Sequence, residues 1–152
     1  MTIHRKPPTG HVSRAAAFGD QAFTRDTLAR TLWGEARSEG REGMMAVASV
    51  ILNRAAKPGW WGRSVADVCL RPWQFSCWLA DDPNRAKLEK VDERDVQFRI
   101  ALQVADQALG GGLPDYTFGA THYHTVDIAP NWARGHTPCA VIGRHAFYND
   151  IA

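Results

Sequence analysis

The segment Trp33-Gly34-Glu35-Ala36-Arg37 sets an acid between an indole and an arginine. Leu28, Leu32 and Glu35 fall on one face of a predicted helix that Gly40 would stop, so the carboxyl shares an apolar stripe near the helix C-terminus. Two effects hold such a carboxyl towards its protonated form. Burial disfavours the anion, and the negative end of the helix dipole repels it. A neutral carboxylic acid near pH 7 suits scission of a glycosidic bond, whose departing oxygen must be protonated as the C–O bond breaks. The same spacing is met by a glutamate that pairs with Arg37 or Arg54 and serves only helix packing.

Other groups invite other chemistry. His122-x-His124, with His136, His145 and Cys139, offers enough ligands for a zinc amidase, but no ligand pair has a helical spacing such as HExxH, and neither metal nor other cofactor is expected. Cys77 or Cys139 with a histidine would make a thiol peptidase, a weaker pattern still. Cys69, Cys77 and Cys139 are odd in number and lack CxxC spacing, which fits buried free thiols; a Cys69–Cys77 bridge is the sharper alternative.

The elements that must position these groups read as a mostly helical α+β domain. Residues 1–22 form a basic, turn-rich tail with Arg5, Lys6 and Arg14, and the ordered domain is expected over 23–152. Thr24 is placed to cap the first helix, with Phe23 stapling onto Leu28. A second helix runs from about Gly43 to Ala55, its broad apolar stripe marking it as central. Trp60, Trp61, Trp73, Phe75 and Trp78 crowd one irregular segment, in which Ser64 to Leu70 fits a short helix. Asp92 is read as the cap of a third long helix that ends at Gly110-Gly111-Gly112. Tyr116 to Thr125 and Ala140 to Tyr148 then read as the two strands of a small C-terminal antiparallel hairpin.

Composition narrows the classes further. The net charge of +2 is too balanced for a protein that coats nucleic acid. The longest charge-free apolar run, Gly43 to Asn53, is eleven residues, about half a membrane span, so no stable membrane insertion is expected. No apolar leader is visible near Met1, and a monomer is expected.

The stretch from Gly34 to Arg54, GEARSEGREGMMAVASVILNR, closely resembles the signature of the SleB-like cell wall hydrolase family. The similarity continues in Gln74-Phe75-Ser76, in Thr121-His122-Tyr123 and in Ile142-Gly143-x-His145-x-Phe147, in family order. The resemblance implies a lysozyme-like, mostly helical domain that cuts the glycan strand of peptidoglycan, with Glu35 as the catalytic acid. Its best-studied type looks like a lytic transglycosylase. Such an enzyme needs one glutamate, because the substrate's own C6 hydroxyl attacks the anomeric carbon. Hydrolysis by two carboxylates would need a partner about 5–5.5 Å away for retention or about 6.5–9.5 Å for inversion. Glu39, Glu42, Asp67, Asp81, Asp82, Asp115 and Asp127 are all available, and none stands out; Glu39 and Glu42 are expected to cap or to pair with Arg37 and Arg54.

Gln74, Ser76, Trp78, Thr121 and Tyr123 are the expected substrate contacts, Tyr123 serving to position the sugar or Glu35. Alternation on a strand puts Thr121 and Tyr123 on one face, with His122 and His124 on the other. Asn53 would pin a loop near the acid or cap its helix, and His145 would donate a structural hydrogen bond. Without a visible leader or wall-binding domain, the chain looks like a bacteriophage endolysin, made in the host cytoplasm and released to the periplasm and wall through a holin. A zinc amidase and a non-catalytic wall-binding or virion module are the competing classes.

Overall fold

Five helices and a three-stranded sheet make up the computed structural model, which describes residues 14–57, 59 and 61–152. The tail residues up to 13, and Trp60 of the aromatic cluster, lie outside the described residues. Helix α1 spans Arg14–Ala36 and is followed by a 3-10 turn, Arg37–Glu39, and by α2, Gly40–Ala55. Helices α3 (Val65–Leu70), α4 (Pro83–Lys90) and α5 (Val96–Leu109) complete the helical layer. Strands β1 (His122–Thr125), β2 (Ala140–Ile142) and β3 (His145–Tyr148) form an antiparallel sheet in the order β1-β3-β2. The expected mostly helical α+β class is what the chain adopts. Among the described residues no helix is long and apolar enough to cross a membrane.

The core lies where α1, α2 and α5 meet. Leu28 and Leu32 of α1, Val47 and Ile51 of α2, and Ala101, Val104 and Ala105 of α5 are fully buried, each set at helical spacing. A second cluster, Ala46, Val50, Ala120 and Phe147, fastens the sheet to the other side of α2, and Tyr123 packs against both clusters. Alternating registers put Tyr123 opposite Phe147 and His122 opposite Tyr148.

Several expected boundaries move. Helix α1 begins at Arg14, ten residues before Thr24, so Thr24 is an interior helix residue rather than a cap, and Phe23 is 56% exposed rather than stapled. Residues 14–22 are therefore part of α1. Asp95, not Asp92, caps α5, accepting from the Phe98 amide at 2.9 Å. Asp92 instead accepts from the Arg94 amide in a local turn. Helix α4 adds an element that the sequence pattern does not announce. It starts with Asp82 as N-cap and Pro83 in its first turn, but Leu88 is its one buried residue, too few apolar positions to register as a period. The stretch 140–148 is two strands rather than one, because Gly143 turns the chain at φ +57.

Close approach, not a turn, accounts for glycine at position 34. A Cβ there would lie 2.9 Å from Cys77 Cβ, 3.0 Å from its Sγ and 3.1 Å from Leu88 Cδ2, where α1 meets the Ser76–Trp78 turn and α4. Gly34→Ala gains about 1 kcal/mol of helix propensity and loses about 1–3 kcal/mol to overpacking. Thermal denaturation is expected to show a net fall in stability; a rise would mean that the contact yields freely.

Candidate active site

Glu35 sits in the last turn of α1, on the face that meets the sheet and the loop between α3 and α4. It is partly accessible to solvent yet densely surrounded by protein. Tyr123, brought across by β1, donates its hydroxyl hydrogen to Glu35 Oε1 at 3.0 Å. Burial pushes the Glu35 carboxyl up to about 7. The Tyr123 hydrogen bond, the Arg54 charge and the Cys77 thiol pull against that, while the charge of Asp82 adds to it. The group is therefore poised between acid and base near neutral pH.

The helix-packing alternative for Glu35 does not hold. Arg37 stacks over the Trp33 ring, 4.2 Å from its centroid, and donates to Asn84 Oδ1 at 2.7 Å. Arg54 donates to the Thr121 carbonyl at 2.8 Å and to Gln74 Oε1 at 3.4 Å. Its guanidinium lies between the Phe75 and Trp61 rings, 5.4 and 5.7 Å from their centroids. Among the described residues, neither arginine forms an ion pair with Glu35.

Arg54 is the residue whose importance spacing understated. It occupies the same α2 face as Val47 and Ile51, at positions i, i+4 and i+7, and it is buried. A cation on an apolar stripe was the available signal. Cys77 and Asp82, which act on Glu35 from the α3–α4 segment, had no such signal, since only the folded loop brings them near.

The expected substrate contacts divide. Tyr123 and Gln74 are gathered around Glu35 and Arg54, and Ser76 is exposed beside them. Thr121 is buried, with its hydroxyl 3.0 Å from His122 Nδ1 and its carbonyl held by Arg54, so it anchors β1 rather than facing an open groove. Trp78 is half-buried against the core, its indole N–H donated to Thr31 Oγ1 at 2.9 Å; it props the wall from behind. Asn53 pins the loop before β1, donating to Asp115 Oδ2 at 3.0 Å and to the Ala120 carbonyl at 2.9 Å.

Glu39 is taken up elsewhere. Both its carboxylate oxygens accept from the Arg144 amide, at 3.1 and 3.0 Å, and it faces His145 Nδ1 at 3.7 Å. It thus latches the β2–β3 turn to the α1–α2 junction instead of pairing with Arg37 or Arg54. A Cβ on Gly143 would overlap Glu39 Oε2, so this latch needs glycine in the turn. The expected hydrogen bond from His145 is not made by Nδ1, which is buried without one. Its ring packs edge-on against Tyr123 instead, with centroids 5.2 Å apart.

The residues considered for zinc are engaged within the protein. His124 Nδ1 lies 2.7 Å from the Thr125 carbonyl and its Nε2 lies 2.8 Å from the Tyr148 hydroxyl, while His136 pairs with Asp150 at 3.0 Å. Among the described residues no group of three or more His, Cys, Asp or Glu side chains is gathered as a metal site. Cys69, Cys77 and Cys139 are free thiols, so the Cys69–Cys77 bridge is not formed. Burial pushes Cys69 up to about 12 and holds Cys77 higher still, which leaves neither as a nucleophile near pH 7.

Tyr123→Phe removes the one hydrogen bond donated by this tyrosine to Glu35. That bond lowers the carboxyl's pKa, so its loss raises it, and any step needing the acid form extends to higher pH. The expected pH–rate profile has a lower maximum and an alkaline limb moved upward. A limb that stays in place would separate Tyr123 from the proton chemistry.

The chain is 33% identical over 126 residues to a spore cortex-lytic enzyme of Bacillus subtilis, covering 79% of this chain and 35% of that one. A spore cortex-lytic enzyme of Halalkalibacterium halodurans is 32% identical over 123 residues, covering 80% and 33%. The chain therefore spans about a third of the length of the curated relatives it matches. The crystal structure of the catalytic domain of the Bacillus cereus SleB protein superposes with a TM-score of 0.65 at 26% identity, over 83% of this chain and 89% of that one. The catalytic domain of the germination-specific lytic transglycosylase SleB from Bacillus anthracis gives 0.64 at 26% identity, over 82% and 93%. These likenesses bear out the lysozyme-like, mostly helical class. The model of a family described as Cell Wall Hydrolase matches residues 38–148, a span that opens three residues after Glu35 and holds Arg54, Gln74 and Tyr123. On that match, which covers most of its length, the chain belongs to the cell wall hydrolase family.

Proposed function

We propose that this protein cleaves the glycan strand of peptidoglycan between N-acetylmuramic acid and N-acetylglucosamine, with Glu35 as its single acid–base group, as a lytic transglycosylase. The observation that carries this reading is the Glu35 carboxyl itself: half-buried, raised to about 7, and oriented by Tyr123. Glu35 protonates the glycosidic oxygen as the C–O bond breaks. Its carboxylate then takes the proton of the substrate's C6 hydroxyl, which closes onto the anomeric carbon and gives a 1,6-anhydro end. One group thus serves as acid and then as base, which a pKa near the working pH favours.

Asp82 is the carboxylate whose charge is felt at Glu35, and it favours a second reading, hydrolysis by two carboxylates. It is committed as the N-cap of α4, accepting from the Asn84 amide at 2.8 Å, which weighs against a catalytic role. Mass spectrometry of muropeptides released from purified sacculi separates the readings. Products ending in 1,6-anhydromuramic acid, absent with Glu35→Gln, are expected. Reducing muramic acid ends would assign hydrolysis and turn attention to Asp82. Free stem peptides that persist with Glu35→Gln would overturn glycan cleavage.

The corresponding cellular role is that of a bacteriophage endolysin: a monomer made in the host cytoplasm and released through a holin to the periplasm and wall. Three free thiols suit folding in a reducing compartment. Expression inside a bacterium, with and without a coexpressed holin, tests it; lysis only with the holin is the expected result, and lysis with neither partner nor delay would count against it.

A further inference from the structure

Trp73 combines two features that are each unfavourable for a large apolar residue. Its indole is 81% exposed, and its backbone is left-handed at φ +71. The turn around it is closed by the Gln74 amide donating to the Arg71 carbonyl at 3.2 Å, with Pro72 at the second position and Trp73 at the third. A proline before a left-handed residue is the pattern of a type II turn, whose third position favours glycine. Folding alone would therefore put the smallest residue where this chain has its largest.

Residues 74–77, immediately downstream, connect this turn to the catalytic acid. Gln74 accepts from Arg54 through Oε1, which leaves its amide nitrogen with two N–H donors. Phe75 packs beneath the Arg54 guanidinium, and Cys77 abuts Gly34 and acts on Glu35. Trp73 lies four residues from Cys77, so the two are at most ~14 Å apart along the chain. The turn therefore belongs to the segment that reaches the acid through Cys77. An exposed indole face beside amide donors is the combination that meets a pyranose ring: the ring's C–H face lies on the π system and its acetamido or hydroxyl oxygens accept.

We propose that Trp73, with the Gln74 amide beside it, forms a sugar-stacking subsite for a hexosamine ring of the glycan strand next to the bond that is cut. This rests on the glycan-cleaving reading above. Binding is measured by calorimetry with peptide-free glycan strands from purified peptidoglycan, using protein carrying Glu35→Gln so that the strands stay intact. Adding Trp73→Gly is expected to weaken binding about three- to tenfold, the range for loss of one aromatic stacking contact. Trp73→Tyr should retain most of the affinity. The melting temperature of the glycine variant should be equal or higher, since the left-handed position is then relaxed. Unchanged affinity with Trp73→Gly overturns the subsite and leaves glycan cleavage standing. Failure of the Glu35→Gln protein to bind glycan strands at all would overturn both.

Discussion

Glu35→Gln is expected to lower the rate of glycan-strand cleavage by about 10²–10⁴-fold and, at pH 8, to make the protein more stable than the wild type. The two effects have one cause. The carboxyl rises from 4.5 to about 7 because folding places it where an anion is poorly solvated. A raised carboxyl pKa costs stability that is absent below about 4.5, grows as pH rises, and is complete above about 7. That shift corresponds to about 3 kcal/mol. Glutamine carries no charge, keeps an oxygen that can accept from Tyr123, and has no proton to give. Melting curves of the two proteins should coincide near pH 4 and separate above pH 7, the variant melting higher by roughly 5–10 °C. An inactive variant that is less stable at every pH would mean that Glu35 is a structural partner and not a strained acid.

Arg54→Met should have the second largest effect, on stability and activity together. Arg54 joins three parts of the chain: it belongs to α2, holds the Thr121 carbonyl at the start of β1, and reaches Gln74 in the α3–α4 segment. Methionine fills part of the volume between Trp61 and Phe75 but leaves the buried Thr121 carbonyl without its donor. Losing that charged hydrogen bond and its packing costs about 2–4 kcal/mol, a fall in melting temperature of roughly 5–15 °C. Arg54→Lys should recover little, because a lysine lacks the planar fork that serves the carbonyl and the aromatic faces at once. The electrostatic part is separable from the structural one. Arg54 favours the Glu35 anion, so in the folded methionine variant the alkaline limb of activity should move to higher pH. Cleavage that falls at least tenfold with an unmoved limb would limit Arg54 to scaffolding.

Much of this arrangement was legible one element at a time. The apolar stripes of α2 and α5 exposed their buried faces directly, because a helix repeats every 3.6 residues whatever surrounds it. Strand alternation likewise separated Tyr123 from His122 and His124 before any contact was known; in the structure Tyr123 turns to Glu35 and Phe147 while both histidines pack on Trp132. Element ends were less legible. Asp92 and Asp95 both precede α5, and the choice between them lies in which carboxylate reaches the Phe98 amide. The start of α1 gave no local signal at Arg14 that outweighed Thr24.

By itself, the sequence determined the class of the fold and singled out Glu35 and the elements that carry it. Periodicity, residue type and the signature from Gly34 to Arg54 are local properties of the chain. Only the tertiary structure decided which residues meet. It turned Glu39 towards the Arg144 amide and away from the acid, buried Thr121, brought Cys77 and Asp82 within range of Glu35, and made Arg54 the common support of two walls. Those assignments depend on contacts between residues 20 to 105 positions apart, such as Arg54 with Gln74 and Glu39 with Arg144. A pKa near 7 depends on them too, since desolvation and the fields of neighbouring charges exist only once the chain has closed around the carboxyl.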